Sequence, residues 1–460
     1  MDSTSPALST APLTAQQITR SLDISAFTRR HLSLYLMIVL AHLFDGFDIN
    51  MIGLVLPGIA TEFKLPPVAI GYLASSVFIG MLVGSIAIGT LADKIGRKRS
   101  LIFAVGFYGV TSLLAAFAWD ARSLLVIRII EGFGLGAEVP LVFTYLSEFM
   151  PERPRGVLLA SSVFFWQAAS FVAALTAIYV VPAYSWRAMF IVGAIPSFVL
   201  IAFFARLPES VRFLIARGRT AEAERIVRWL STVRPEEVEA VNPASGTALA
   251  GTHTRLRDLL RRGYLRATLG VWIMQFCGGA VFVGLAVWLP SIFVRMGFPM
   301  VRGFYFTAAI TGAGALGNIG AGLLLDRIGR RATLAAFLTL GGLFMLAWGL
   351  AESGPAIVAL GALTAFFGAG GAGGPLFTYT SEIYPTSLRG TGTGWAAGCQ
   401  RIGGIVAPVL LGSLLASHAS AYAFFVVMAL ALIAGGMAAL LLGFETSGKS
   451  LEDISMQLRS

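Results

Sequence analysis

Charge is scarce in this chain. Of its 460 residues only 13% are Asp, Glu, Lys or Arg and 56% are hydrophobic, where soluble domains carry about 25% charged and about 45–50% apolar residues. That balance excludes an ordinary soluble enzyme. Cysteine is scarcer still. Cys277 and Cys399 both fall within apolar runs, so the sequence supports neither a disulfide framework nor a zinc site with paired Cys and His spacing. Extended polar segments are missing apart from residues 207–266, which leaves little room for a catalytic domain. What is present is a mean hydropathy of +0.79, with 52 Gly, 33 Phe and 8 Trp. This is the composition of a chain whose solvent is mostly lipid.

Apolar runs of about 20 residues, long enough to cross ~30 Å of hydrocarbon as helices, recur at 32–57, 70–92, 100–119, 123–148, 157–181 and 187–206. A second set lies at 267–294, 303–325, 332–350, 355–382, 390–416 and 420–443. Backbone amides cannot go unpaired in lipid, so each run is expected to be helical. The expected organisation is a flexible cytoplasmic tail (1–30, without a signal-peptide pattern), a first bundle (31–206), a cytoplasmic linker (207–266), a second bundle (267–443) and a cytoplasmic tail (444–460). Within the linker, LPESVRFLIARGRTAEAERIVRWL has apolar positions at helical spacing with charges between, the pattern of amphipathic helices lying along a membrane face.

The net charge of +10 raises the question of nucleic acid, and the placement of the cations answers it. With the N-terminus inside, 27 Lys and Arg fall on cytoplasmic segments and five (Lys64, Arg122, Arg187, Arg295, Arg302) on the other side. Without the long central segment the ratio is still 15 to five. The basic balance is a topology signal, which places both termini in the cytoplasm and removes nucleic acid as a partner.

Two motifs repeat at one displacement. GTLADKIGRKRSL, with Asp93 and Arg97, returns as GLLLDRIGRRATL, with Asp326 and Arg330, 233 residues later. PLVFTYLSEFMPERPRG, with Glu148 and Arg155, returns as PLFTYTSEIYPTSLRG, with Glu382 and Arg389, 234 residues later. Two unrelated motifs sharing one offset imply two six-helix halves with a substrate site between them near midplane. The G-x-L-x-D-x-x-G-R-[KR] loop in both halves resembles the major facilitator superfamily of transporters, over roughly residues 30–445. The resemblance implies an all-α membrane protein of twelve transmembrane helices in two pseudo-symmetric six-helix bundles. It further implies that Asp93, Arg97, Glu148, Arg155, Asp326, Arg330, Glu382 and Arg389 close the cytoplasmic side by charge contacts.

Ionisable groups at span centres cost about 2.5–3.5 kcal/mol each to insert, so they face the interior and mark pathways. They are Asp45 and Asp48 in the first span, Arg128, Glu131 and Glu138 in the fourth, and Arg401 in the eleventh. Asp48 lies nine residues before Pro57, or about 13 Å at 1.5 Å per residue, and Arg128 is at a similar depth below its own outer end. The two can therefore pair across helices. Here the chain is similar to proton-linked sugar porters in LFDGFDI and LLVIRIIEGFGLG, which implies Asp48 as the proton site and Arg128 as its partner. Asp45 shares a helical face with Asp48, and Glu131 lies one turn from Arg128. Glu138 reads as a substrate or proton group, or equally as a bond between neighbouring helices.

Arg401, in GCQRIGGIVAPVLLG, has no acid in its own span and suits a carboxylate ligand near midplane. Phe165, Trp166, Trp272, Phe276 and Trp395 on expected cavity helices supply flat apolar walls, and Gln167 and Gln275 supply hydrogen bonds. DGFD at 45–48 is similar to the first-span signature of aromatic-acid/proton symporters, and SEIYPTSLRGTGTGWAAGCQRIGGIVAPVLLG resembles the bacterial nicotinate transporters and their organic-ion relatives. Against these, LPESVRFL and FETSGKSLEDI resemble segments of sugar porters, yet only Gln275 remains of their sugar-binding pattern.

The expected function is a proton-coupled symporter of a small aromatic or heteroaromatic carboxylate at the inner membrane. It is not an enzyme, needs no cofactor or metal, and works as a monomer. The alternatives are a sugar, polyol or organic-cation carrier, including proton-driven efflux. Four buried acids against two buried arginines keep the cation in play unless two acids are protonated.

Overall fold

The computed structural model describes residues 14–233, 238, 256–417 and 420–447, and every regular element among them is helical. The first six spans are α2 (Arg29–Glu62), α3 (Pro67–Ile95), α4 (Arg97–Ala115), α5 (Ala121–Phe149), α6 (Glu152–Ala183) and α7 (Trp186–Phe204), preceded by the short α1 (Ala15–Asp23). The linker carries α8 (Val211–Ala216), α9 (Thr220–Leu230) and α10 (Leu256–Leu259). The second six are α11 (Arg262–Arg295), α12 (Met300–Ile328), α13 (Arg330–Trp348), the broken pair α14 (Gly354–Phe367) and α15 (Ala369–Ile383), α16 (Thr386–Ala416) and α17 (Ala421–Leu442). Ten of the spans are long and apolar enough to cross a membrane on composition alone. The other two are α4, which opens on Arg97, Lys98 and Arg99, and α5, which carries the intramembrane charges.

Packing follows the sequence duplication. In the first half α3 lies on α5, α2 on α6 and α4 on α7; in the second, α12 lies on α14 and α15, α11 on α16 and α13 on α17. The crossing of α3 and α5 depends on small residues, because a Cβ on Gly80 would stand 1.9 Å from Ile129 O and one on Gly132 2.0 Å from Val77 O. Backbone contact of this kind is how helices associate where lipid removes the hydrophobic drive.

The halves meet along α3 with α16, α6 with α12, and α2 with α11. Contact is closest at the end opposite the Asp93 and Asp326 loops. There a Cβ on Gly53 would stand 1.8 Å from Ala286 O, and one on Gly71 2.5 Å from Pro408 O. Among the described residues no hydrogen bond or ion pair joins the halves at the loop end; the bonds that cross are Ser75 to Ile405 O, Arg401 to Ser85 and Gly136 O, and Gln167 to Gly370 O.

The polar flanks depart from expectation in one place. Residues 15–23, within the segment read as a flexible tail, form α1, closed by a Thr14–Gln17 capping box and burying Ile18 and Leu22 against α9. Two apolar positions four apart on a capped turn gave it a face to bury. Ser231 Oγ donates to Ser21 O at 2.7 Å and Ala26 N to Thr232 Oγ1 at 3.0 Å, which holds the stretch after α1 to the end of α9. α9 is amphipathic, with Ala223, Val227 and Leu230 buried and Trp229 exposed. Residues 1–13, 448–460 and most of 234–255, parts of the two tails and of the linker, lie outside the described residues.

Candidate functional site

Six charged side chains converge where α2, α5 and α16 come together. Arg128 Nη1, on α5, donates to Asp48 Oδ1 on α2 at 2.8 Å and to Glu131 Oε2 on its own helix at 2.7 Å, and all three residues are wholly buried. The guanidinium lies 5.7 Å from the Phe190 ring centroid, a cation–π contact that adds to its stabilisation. The depth argument from sequence thus meets its partner, with Glu131 as a second acid on the same nitrogen. Among the described residues Asp48 Oδ2, Glu131 Oε1, Arg128 Nε and Arg128 Nη2 have no hydrogen-bond partner.

One turn along α2, Asp45 Oδ2 accepts from Trp166 Nε1 at 2.9 Å. Glu138, two turns along α5 from Glu131, is also fully buried, and it stands within hydrogen-bonding reach of Asp45. His42 packs by its ring against Trp166 (6.4 Å between centroids) and Phe143 (6.1 Å). Arg401, on α16, crosses the boundary between halves. Its Nη1 donates to Ser85 Oγ on α3 at 2.7 Å and its Nη2 to Gly136 O on α5 at 3.2 Å. Among the described residues no carboxylate lies within salt-bridge distance of it. It is also the one charge of the six that keeps some exposure.

The aromatic and amide residues singled out from sequence divide into groups. Trp166 joins the charge cluster through Asp45 and stacks at 5.3 Å on Phe282, a residue of α11 that sequence reasoning did not single out. Gln167 Nε2 reaches Gly370 O across the halves at 2.8 Å, and Gln275 Nε2 reaches Thr380 Oγ1 within the second half at 3.0 Å. Trp272 and Trp395 pair with each other at 6.1 Å. Phe276 and Trp395 are exposed, and Phe165 packs on Phe164 at 5.6 Å. The structure therefore gathers Trp166 around the charges, sets Gln167 on the boundary between the halves, and leaves Gln275, Trp272, Trp395, Phe165 and Phe276 outside the hydrogen-bond network of the charges.

At the loop end the duplicated motifs fold into duplicated clamps. Arg97 pairs with Asp93 at 2.9 Å and with Glu148 at 3.9 Å; Arg330 pairs with Asp326 at 2.9 Å and with Glu382 at 3.1 Å. These ion pairs stay within one half, so in this structure they brace each bundle and do not close one against the other. Arg155 pairs with Asp23 of α1, outside the set of residues singled out from sequence. Arg389, its counterpart, keeps Nε without a partner among the described residues.

The clamps contain a member that sequence reasoning missed. Glu209 Oε1 accepts from the backbone N–H groups of Arg97 (2.8 Å) and Lys98 (3.1 Å) at the start of α4; Glu445 accepts from those of Arg330 (2.8 Å) and Arg331 (3.2 Å) at the start of α13. Each carboxylate sits on the unpaired donors of a helix N-terminus, where it is favoured. The following hydroxyls complete the symmetry, Ser210 donating to Glu148 and Thr446 to Glu382. Gly96 (φ 103°) and Gly329 (φ 91°) precede the two helices, and a Cβ on either would collide with the capping carboxylate at 2.2 and 2.4 Å. The signal was present in the sequence: LPES and FETS are separated by 236 residues, close to the motif offset.

The family of sugar (and other) transporters matches residues 34–458. The chain belongs to that family. It is a multi-pass membrane transporter with the twelve-helix major facilitator fold, and not an enzyme. The transporter is 33% identical to the niacin transporter NiaP of Acinetobacter baylyi, across 93% of this chain and 97% of that relative. It is 28% identical to the 4-hydroxybenzoate transporter PcaK of Pseudomonas putida, across 84% and 88%. Among solved structures it is similar in fold to the xylose transporter XylE from E. coli in a partially occluded inward open conformation, with a TM-score of 0.74, 20% identity, and coverage of 92% of this chain and 100% of that one.

Proposed function

We propose that this transporter is a proton-coupled symporter that carries a small aromatic or heteroaromatic carboxylate, nicotinate-like or benzoate-like, across the inner membrane by alternating access, as a monomer with both termini in the cytoplasm. Arg401 is the observation that carries this reading. A guanidinium offers five donors in a planar fork, and this one directs Nη1 and Nη2 at neutral oxygens of the opposite half. A carboxylate displacing Ser85 Oγ and Gly136 O gains a charge-assisted bidentate pair. Those two acceptors belong to α3 and α5, so the arrival of the anion changes how the halves hold each other. Trp166, with Phe165, Trp272, Phe276 and Trp395, supplies ring surface, and Gln167 and Gln275 supply amides. The names of the niacin and 4-hydroxybenzoate transporters support the same ligand class.

Coupling rests on Asp48, Asp45, Arg128 and Glu131. Protonation of Asp48 removes one of the two carboxylates on Arg128 Nη1, which loosens α2 from α5 and lets the bundle rearrange. The clamps built on Asp93, Arg97, Glu148, Arg155, Asp326, Arg330, Glu382 and Arg389 re-form their contacts in each cycle; being part-exposed, such pairs are modest enough to break.

One observation favours an organic cation instead: four buried acids (Asp45, Asp48, Glu131, Glu138) face two arginines. A thermal-shift panel on the purified protein separates the readings, because only ligands of the native state raise its melting point. Nicotinate and benzoate are expected to stabilise the transporter and to lose that effect in Arg401→Ala. Stabilisation by amines or sugars with none from carboxylates overturns the proposal.

A further inference from the structure

Asp48 and Glu131 share a cation. Asp45 and Glu138 do not. Asp45 Oδ2 has the Trp166 N–H, but among the described residues Asp45 Oδ1 and both oxygens of Glu138 have no donor, and both residues are completely buried. The two carboxyls stand within hydrogen-bonding reach of one another, one on α2 and one on α5. The groups that face them are Asp48 on the side of Arg128 and Glu131, the Tyr108 hydroxyl from α4 and the Arg401 guanidinium from α16. Two bare carboxylates in contact, away from water and without a donor, are the arrangement proteins avoid; one shared proton removes the repulsion and supplies the missing O–H.

We infer that Asp45 and Glu138 form a second proton-binding pair, distinct from Asp48, and that each substrate carboxylate therefore moves together with two protons. The inference rests on the carboxylate-symporter reading and adds its stoichiometry. Arg401 links the pair to the ligand. With the shared proton in place the pair carries a single negative charge, and Arg401 is left to the substrate. When the proton departs, a second negative charge appears on the pair and competes with the substrate carboxylate for the same guanidinium. Proton release on the low-proton side thus evicts the anion there. The charges balance as one anion and two protons, a net charge of +1 moved inward per cycle.

The test is uptake of radiolabelled nicotinate by the full-length protein in proteoliposomes, with pH gradient and membrane potential set independently by potassium and valinomycin. Each coupled proton multiplies the equilibrium accumulation by about 10 per pH unit. At zero potential two protons give about 100-fold accumulation per pH unit and an inside-negative potential raises it further, whereas one proton gives about 10-fold and no response to potential. Glu138→Gln, whose amide supplies the missing donor permanently, is expected to keep uptake and fall to the second pattern. Wild-type accumulation that stops near 10-fold and ignores the potential overturns the proton pair and leaves the symporter intact; this arm needs no variant to fold. Wild-type protein that accumulates none of nicotinate, benzoate or 4-hydroxybenzoate under any gradient overturns the symporter reading and the pair with it.

Discussion

Arg128 holds two carboxylates with one nitrogen, and this asymmetry has a measurable consequence. In Arg128→Gln, Asp48 and Glu131 stay buried with no counter-charge. Removing one partner of a buried ion pair costs about 3–5 kcal/mol, a large part of a folding margin of about 5–15 kcal/mol. Asp48→Asn is different, because Arg128 keeps Glu131 at 2.7 Å and the asparagine can still accept its N–H. That loss is about 1 kcal/mol, the scale of a single hydrogen bond. Arg128→Gln combined with Asp48→Asn and Glu131→Gln removes all three charges and should recover most of the stability, since neutral replacements of buried ion networks are often well tolerated. The assay is thermal unfolding of the detergent-solubilised protein, followed by tryptophan fluorescence. The expected order of stability is wild type, Asp48→Asn, the triple variant and, well below them, Arg128→Gln. An Arg128→Gln protein as stable as Asp48→Asn, or a triple variant no better than the single, would refute the shared-cation account.

Further outcomes follow from the same contacts. Gly53→Val puts side chain where Ala286 O lies 1.8 Å from the ideal Cβ position, so it should open the end opposite the motif loops. Transport is expected to fall about tenfold or more in a folded protein, with faster thiol labelling of Ala286→Cys from that side; unchanged transport counts against closure there. Glu209→Gln and Glu445→Gln each weaken two backbone caps and should cost about 1–2 kcal/mol, by equal amounts if the clamps are equivalent, which parallel melting curves will check. Asp120, the N-cap of α5 outside the membrane, is held below the usual carboxylate range by the Ser123 backbone N–H. Its contribution is present above the unfolded carboxylate range and lost as pH falls through the folded value, so the difference in stability between wild type and Asp120→Ala should shrink on acidification.

The spans were legible because each apolar run had to become a helix to satisfy its own backbone. Their ends were not, since the loops are so short that α3 and α4 are divided by Gly96 alone. The break in the tenth span was hidden for a similar reason: Gly368 departs from helical geometry where α13 packs so closely that a Cβ on Gly341 would stand 2.5 Å from the Gly368 Cα, a contact that needs the neighbouring helix in place. Asp48 and Arg128 could be matched by depth within one half. The partners of Arg401 could not, because Ser85 and Gly136 belong to the other half and one of them is a backbone oxygen. Asp23 was missed as the partner of Arg155 because α1 looked like tail, although the Thr14–Gln17 cap and the Ile18 and Leu22 spacing were there to be read.

The central claim is that a proton on the Asp48 cluster drives movement of a carboxylate held by Arg401. Asp48→Asn protein reconstituted in liposomes tests it most directly, comparing exchange of labelled for unlabelled nicotinate with accumulation under an inward proton gradient. Exchange should survive while accumulation collapses to the level without a gradient. Accumulation equal to that of the wild type would contradict the account.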